Sequence, residues 1–181
     1  MRVEPFRIPD KIFAGLAVGV MVLTWAVAWW IFPDLPARIP THFGITGQPD
    51  GFGPASWWNV FMPAVVQLAL GLLFWWLYRH PQYSNLPSTI AITLVPEPYR
   101  VMLYRLIQHF LVVTLVIINL MMAHITIAII GVAIGSLTGL NPWLIGGLVL
   151  LLLTVVAVYS VWLYRIATRG AREIVAKGEK A

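Results

Sequence analysis

IFAGLAVGVMVLTWAVAWWIF, Ile12 to Phe32, runs for 21 residues without a charged side chain. A helix of that length rises ~32 Å, enough to cross a hydrocarbon core of about 30 Å. Secretory signals have a shorter apolar core and end in small residues. This run ends in Trp29, Trp30 and Phe32 before the helix-stopping Pro33, so it reads as a retained transmembrane helix with its aromatic end at an interface. Asp10, just ahead of it, is placed as its N-cap.

Three further apolar runs follow, at about 57–78, 106–134 and 143–164. The 181 residues are 60% hydrophobic and 10% charged, against roughly 25% charged in soluble domains. The fold class is therefore an all-α integral membrane protein with four transmembrane helices, forming one membrane domain over 1–181. The chain has no Cys, which excludes disulfides, thiolate metal sites and cysteine nucleophiles. A formal charge of +5 invites a nucleic-acid reading, but the basic residues flank the spans, so the partner they indicate is the lipid bilayer.

Orientation follows from those residues. Of the 12 Lys and Arg, only Arg38 lies in the loop 33–56; the others fall in the N-terminal segment, the region 79–105 and the tail 165–181. Positive charge favours the cytoplasm. Both termini are thus expected inside, with the protein in the cell membrane and loop 33–56 facing outward. Four Pro between Arg79 and Pro98 argue for ordered loop there, with Ser88–Val95 as a short strand or interfacial segment. Glu97 and Pro98 read as cap and first position of a third helix whose first turns leave the membrane, and the tail 165–181 as a basic amphipathic helix that frays.

Polar chemistry within the spans concentrates on the third: Gln108, His109, Asn119, His124 and Thr126, with no acid or base at membrane depth. Gln108 and Asn119 fall within ~20° of one another around the helix, whereas His109 and His124 are ~22 Å apart along it and cannot share a metal. Asn119 and His124 read first as bundle hydrogen bonds, and alternatively as ligand contacts beneath the outer loop. Gly15-x3-Gly19 and Gly131-x3-Gly135-x3-Gly139 have the spacing that permits close helix approach.

The outer loop, FPDLPARIPTHFGITGQPDGFGPAS (Phe32–Ser56), holds five Pro and four Gly among 25 residues. Folded back as a hairpin, it brings His42 toward Asp50, either as a clamp or as a ligand contact. A zinc site needs three or four donors, and the outer face offers His42, Asp50, Asp34 and His124. No metal and no cofactor are expected.

Within this loop, Pro33, Leu35, Pro36, Ile39, Pro40, His42, Phe43, Gly47, Pro49, Asp50, Gly51 and Gly53 match the pattern P-x-L-P-x-x-I-P-x-H-F-x-x-x-G-x-P-D-G-x-G. The chain thereby resembles the SdpI-type small prokaryotic membrane proteins, whose N-terminal module of unknown function carries that loop. HPQYSNLPSTI, His80–Ile90, is similar to the segment after the second span in such proteins and extends the resemblance to about Ile134. Relatives often carry a Lys after the last Gly, where this chain has Pro54 and Ala55. The resemblance implies a non-enzymatic immunity or recognition protein, since the best-known member protects a cell from its own secreted killing peptide.

The candidate ligand contacts are accordingly His42, Phe43, Asp50, Asn119 and His124, serving a peptide or small molecule at the outer face. The other motif positions are structural. A small transporter or channel component using the third helix, and a membrane metal-dependent enzyme built on His42, Asp50 and His124, are the alternatives. A homo-oligomer stays open.

Overall fold

The computed structural model describes residues 8–84, 95–97 and 99–178, with side chains described for 9–84, 95–97 and 99–173. Its elements are α1 (Ile8–Ile31), β1 (Arg38–Phe43), β2 (Pro49–Pro54), α2 (Trp57–Arg79), α3 (Tyr99–Ala133) and α4 (Pro142–Gly178). All four helices are long and apolar enough to cross a membrane. The expected Ser88–Val95 segment and the Pro98 helix start lie outside the described residues, apart from Val95, which is buried.

The helices are bounded by local chemistry. A single 3-10 turn at Phe32–Asp34 follows α1, with Pro33 inside it. Ser56 caps α2, its Oγ accepting from the Asn59 amide at 3.3 Å. α2 continues through Pro63, which is buried. At the end of α3, Gly135 takes φ +75°. There Ser136 N–H donates to Gly131 O at 2.8 Å and Gly135 N–H to Val132 O at 3.2 Å, the two bonds of a Schellman stop. So Gly131 and Gly135 serve a helix terminus rather than a helix crossing. At Gly15 and Gly19 an added Cβ would meet nothing within 4 Å, so that spacing is not used for a crossing either.

α3 is the central helix. It packs extensively on α1, α2 and α4, whereas α1 and α2 pack far less on each other. One apolar cluster, Ala28, Ile39, Val60, Ile129 and Ile130, lies at the hairpin end. A second, including Tyr78, Val95, Leu103, Leu163 and Ala167, lies at the opposite end. Trp29, Trp30, Trp57 and Trp58 remain exposed at the first end and Trp75 and Trp76 at the other, as interfacial aromatic belts do.

The tail is not a separate helix: α4 runs unbroken for 37 residues, through Arg165. At ~56 Å, and ~52 Å for α3, this pair outlasts a bilayer core of about 30 Å and projects beyond it at the end away from the hairpin. Gly170 lets the two helices approach there, since a Cβ would come within 2.8 Å of Val95 Cγ1 and 3.3 Å of Tyr99 Cβ. Gly170→Leu improves helix propensity, yet is expected to cost about 1–3 kcal/mol by overpacking and to open the projecting ends to trypsin. Unchanged melting and digestion would show that the ends are not held together.

Candidate functional site

β1 and β2 pair antiparallel, with Ile39 opposite Gly53 and His42 opposite Gly51. The register slips between Pro40 and His42 and again between His42 and Phe43. Irregularities of this kind re-aim side chains: Ile39 and Pro40 are both buried, while Thr41 and His42 face out. Pro40, Pro49 and Pro54 offer no N–H, which suits a two-stranded ribbon without a further neighbour.

An isolated hairpin is marginal, so its stability comes from its mounting. Ile39 is wholly buried against Ala28, Val60, Ile129 and Ile130, with Leu35 and Phe43 packed on the same cluster. Asn59 donates from its side chain to Pro54 O at 2.9 Å, and Ala55 N–H to Ala37 O at 3.0 Å. The tip is closed by Gly44 N–H to Gln48 O at 2.9 Å and seated by Leu140 N–H to Gly47 O at 2.8 Å. Gly47 has φ +80°, and a Cβ there would overlap the Leu140 carbonyl oxygen.

His42 donates from Nδ1 to Asp50 Oδ1 at 2.5 Å, across the two strands. Gly51 makes room for this, since a Cβ there would sit 2.9 Å from His42 Cβ. The pair is solvent-facing, 72% and 54% exposed. Ile45 at the tip is 98% exposed and Phe52 about half exposed, an apolar margin beside the polar pair.

His124 lies below the hairpin tip but not with that pair. Its Nε2 accepts from Asn141 N–H at 3.2 Å, next to the Leu140 amide that holds Gly47. Phe43 points into the apolar mounting. Among the described residues no three His, Cys, Asp or Glu form a group able to hold a metal.

Asn119 is buried deep in the bundle, donating from Nδ2 to Ala17 O of α1 at 2.8 Å. Gln67 of α2, fully buried, donates to Asn119 O at 3.2 Å and accepts from Trp25 Nε1 at 3.2 Å. Gln67 is absent from the sequence-based set, although an amide in the middle of an apolar span marks it. Gln108, on the same face of α3 as Asn119, donates to Tyr78 O at 3.0 Å.

The N-cap reading of Asp10 is corrected. Asp10 lies within α1, 3% exposed, and faces the bundle. Tyr78 OH donates to its Oδ2 at 3.0 Å, and His109 donates from Nδ1 to its Oδ1 at 2.7 Å. Phe13 stands edge-on to the His109 ring at 5.5 Å, and Tyr159 of α4 lies at 6.1 Å from it. All four helices thus meet around one carboxylate. The apolar helices are not free of acids: the α1 span includes Asp10, which tolerates burial because both oxygens are bonded.

A family model described as "Domain of unknown function (DUF1648)" matches residues 19–68. That stretch covers the second half of α1, the whole hairpin and the first half of α2, so the matched unit is the hairpin with the two helix ends that carry it. An archaeal relative, described as "Uncharacterized protein" from Archaeoglobus fulgidus, is 30% identical over 96 residues. The alignment covers 49% of this chain and 52% of that protein, about half the length of each. No solved structure matches.

Proposed function

We propose that this chain is a non-enzymatic recognition protein of the SdpI type, placed in the plasma membrane of a prokaryotic cell. In this reading the hairpin faces outward, both termini are cytoplasmic, and the hairpin engages a peptide, as an immunity protein would. The observation that carries it is a contrast within the hairpin. Ile39 and Pro40 are buried in the mounting, while the bonded His42–Asp50 pair stands 72% and 54% exposed. An exposed pair contributes about 0–1 kcal/mol to stability, too little to be what seats the hairpin. A firmly seated loop that displays a polar pair between Ile45 and Phe52 is suited to contact a partner.

Asp34 and Asp50 outnumber Arg38 on this face, so a cationic amphipathic peptide complements it. The Lys and Arg distribution supports the orientation. The transporter alternative draws on α3, but Gln108 and Asn119 stand ~16 Å apart along the helix. Each commits its amide to a neighbouring helix's backbone, which supports reading them as bundle contacts.

The test titrates nanodisc-reconstituted protein with a synthetic Lys/Leu amphipathic helix, beside empty discs. Wild type is expected to bind above the empty-disc level, with Asp50→Ala and Ile45→Ser each weakening binding roughly tenfold, the equivalent of ~1.4 kcal/mol. Binding equal to empty discs, or unaffected by both substitutions, would reject peptide recognition by the hairpin.

A further inference from the structure

Away from the hairpin, α1 and α2 pack little on each other, and a cleft of about 210 Å³ lies between them over the face of α3. One wall is Ala14, Val18 and Met21 of α1, the other Leu68, Leu72 and Trp75 of α2. Gln67 and Asn119 stand at its mid-membrane end, each donating its amide to a backbone oxygen of a neighbouring helix. The interior is therefore almost wholly apolar. From Gln67 to Tyr78 the cleft follows α2 for ~16 Å, which is the depth of one leaflet in a hydrocarbon core of about 30 Å.

The other end is charged. Tyr78 OH bonds Asp10 at 3.0 Å, which sets Lys11 and Arg79, the next residue on each helix, at one depth. Lys11 falls within ~20° of Val18 around α1, and Arg79 within ~20° of Leu72 around α2. Each wall of the cleft thus continues into a cation at its mouth. Both residues are exposed, and among the described residues neither has a carboxylate partner, since Asp10 turns inward to Tyr78 and His109. The Arg79 guanidinium lies 6.0 Å from the Trp75 ring centre, so a wall residue also holds the cation in place. An apolar slot one leaflet deep, with two cations at its interfacial mouth, complements a lipid with hydrocarbon inside and phosphate outside.

We propose that the cleft binds one anionic membrane lipid from the leaflet away from the hairpin. A hydrocarbon chain fills the slot between Val18 and Leu72, and the phosphate meets Lys11 and Arg79, whose long stems reach the headgroup level. The lipid bridges α1 and α2 where the protein leaves them apart. The site is independent of the hairpin and of what the hairpin binds.

Native mass spectrometry of the detergent-purified chain compares phosphatidylglycerol with phosphatidylcholine of the same chain length. Wild type is expected to hold one phosphatidylglycerol at least tenfold more tightly. Lys11→Gln with Arg79→Gln is expected to bring it down to the phosphatidylcholine level. Arg165→Gln with Arg169→Gln on α4, an equal loss of charge, is expected to change nothing. Gly71→Leu fills the slot at a position where an added Cβ meets nothing within 4 Å. It is expected to cut retention of both lipids roughly tenfold while thermal melting stays unchanged. Equal retention of the two lipids by wild type would overturn the site, and equal behaviour of the two double variants would overturn it in favour of bulk charge. Full phosphatidylglycerol retention by folded Gly71→Leu would overturn its location.

Discussion

Asp10→Ala is expected to be among the most destabilising single substitutions in this bundle, lowering stability by roughly 3–5 kcal/mol, the range for breaking a buried, bonded charge. The carboxylate joins α1 to α2 through Tyr78 and to α3 through His109, at 3.0 and 2.7 Å. Removing it takes away the carboxylate that accepts from the Tyr78 hydroxyl and from the His109 N–H. Asp10→Asn separates charge from connectivity, because the amide oxygen still accepts from Tyr78. The asparagine variant is expected to lose only about 1–2 kcal/mol. Thermal melting in detergent reads both. Were Asp10→Ala to melt with wild type, the carboxylate would not be a structural hub.

Gly47→Ala is the second large effect. The residue sits at φ +80° with its carbonyl bonded to Leu140 N–H at 2.8 Å. A left-handed conformation costs a non-glycine residue about 1–2 kcal/mol. The new methyl would also overlap the Leu140 carbonyl oxygen, and its space is backbone rather than a movable side chain. A loss of about 3 kcal/mol is expected, with the tip lifted off the α3–α4 turn. Limited proteolysis at Arg38 should accelerate while the four helices persist by circular dichroism. Wild-type resistance in the variant would mean that the tip is not seated on that turn.

These two residues also mark what could be read from the chain and what could not. The four spans were legible because a backbone in lipid has no water to bond and must satisfy itself within each helix, making a long apolar run nearly sufficient. The approach of His42 to Asp50 was legible as a consequence of hairpin closure, since glycines and prolines at fixed offsets mark turns. The continuation of α4 past Arg165 was not. Charge marks the edge of the bilayer, and a helix has no reason to end there when Leu163 and Ala167 still have Leu103 and Val95 to pack against. Gly131, Gly135 and Gly139 have the spacing of a helix crossing, but helix stop and hairpin seat use the same residue type.

Asp10 was the sharpest ambiguity. An acid just ahead of an apolar run has one appearance whether it caps a helix or turns into a bundle. Its acceptor role was settled only by His109, 99 residues away, as the donor role of Asn119 was settled by Ala17, 102 residues away. The chain by itself determined that four helices form and that the loop folds back, because both depend on bonds made among near neighbours and on transfer into lipid. Which buried polar groups meet was decided by the tertiary arrangement alone, because with α3 at the centre those partners come from other helices, and no local pattern encodes which helices are adjacent.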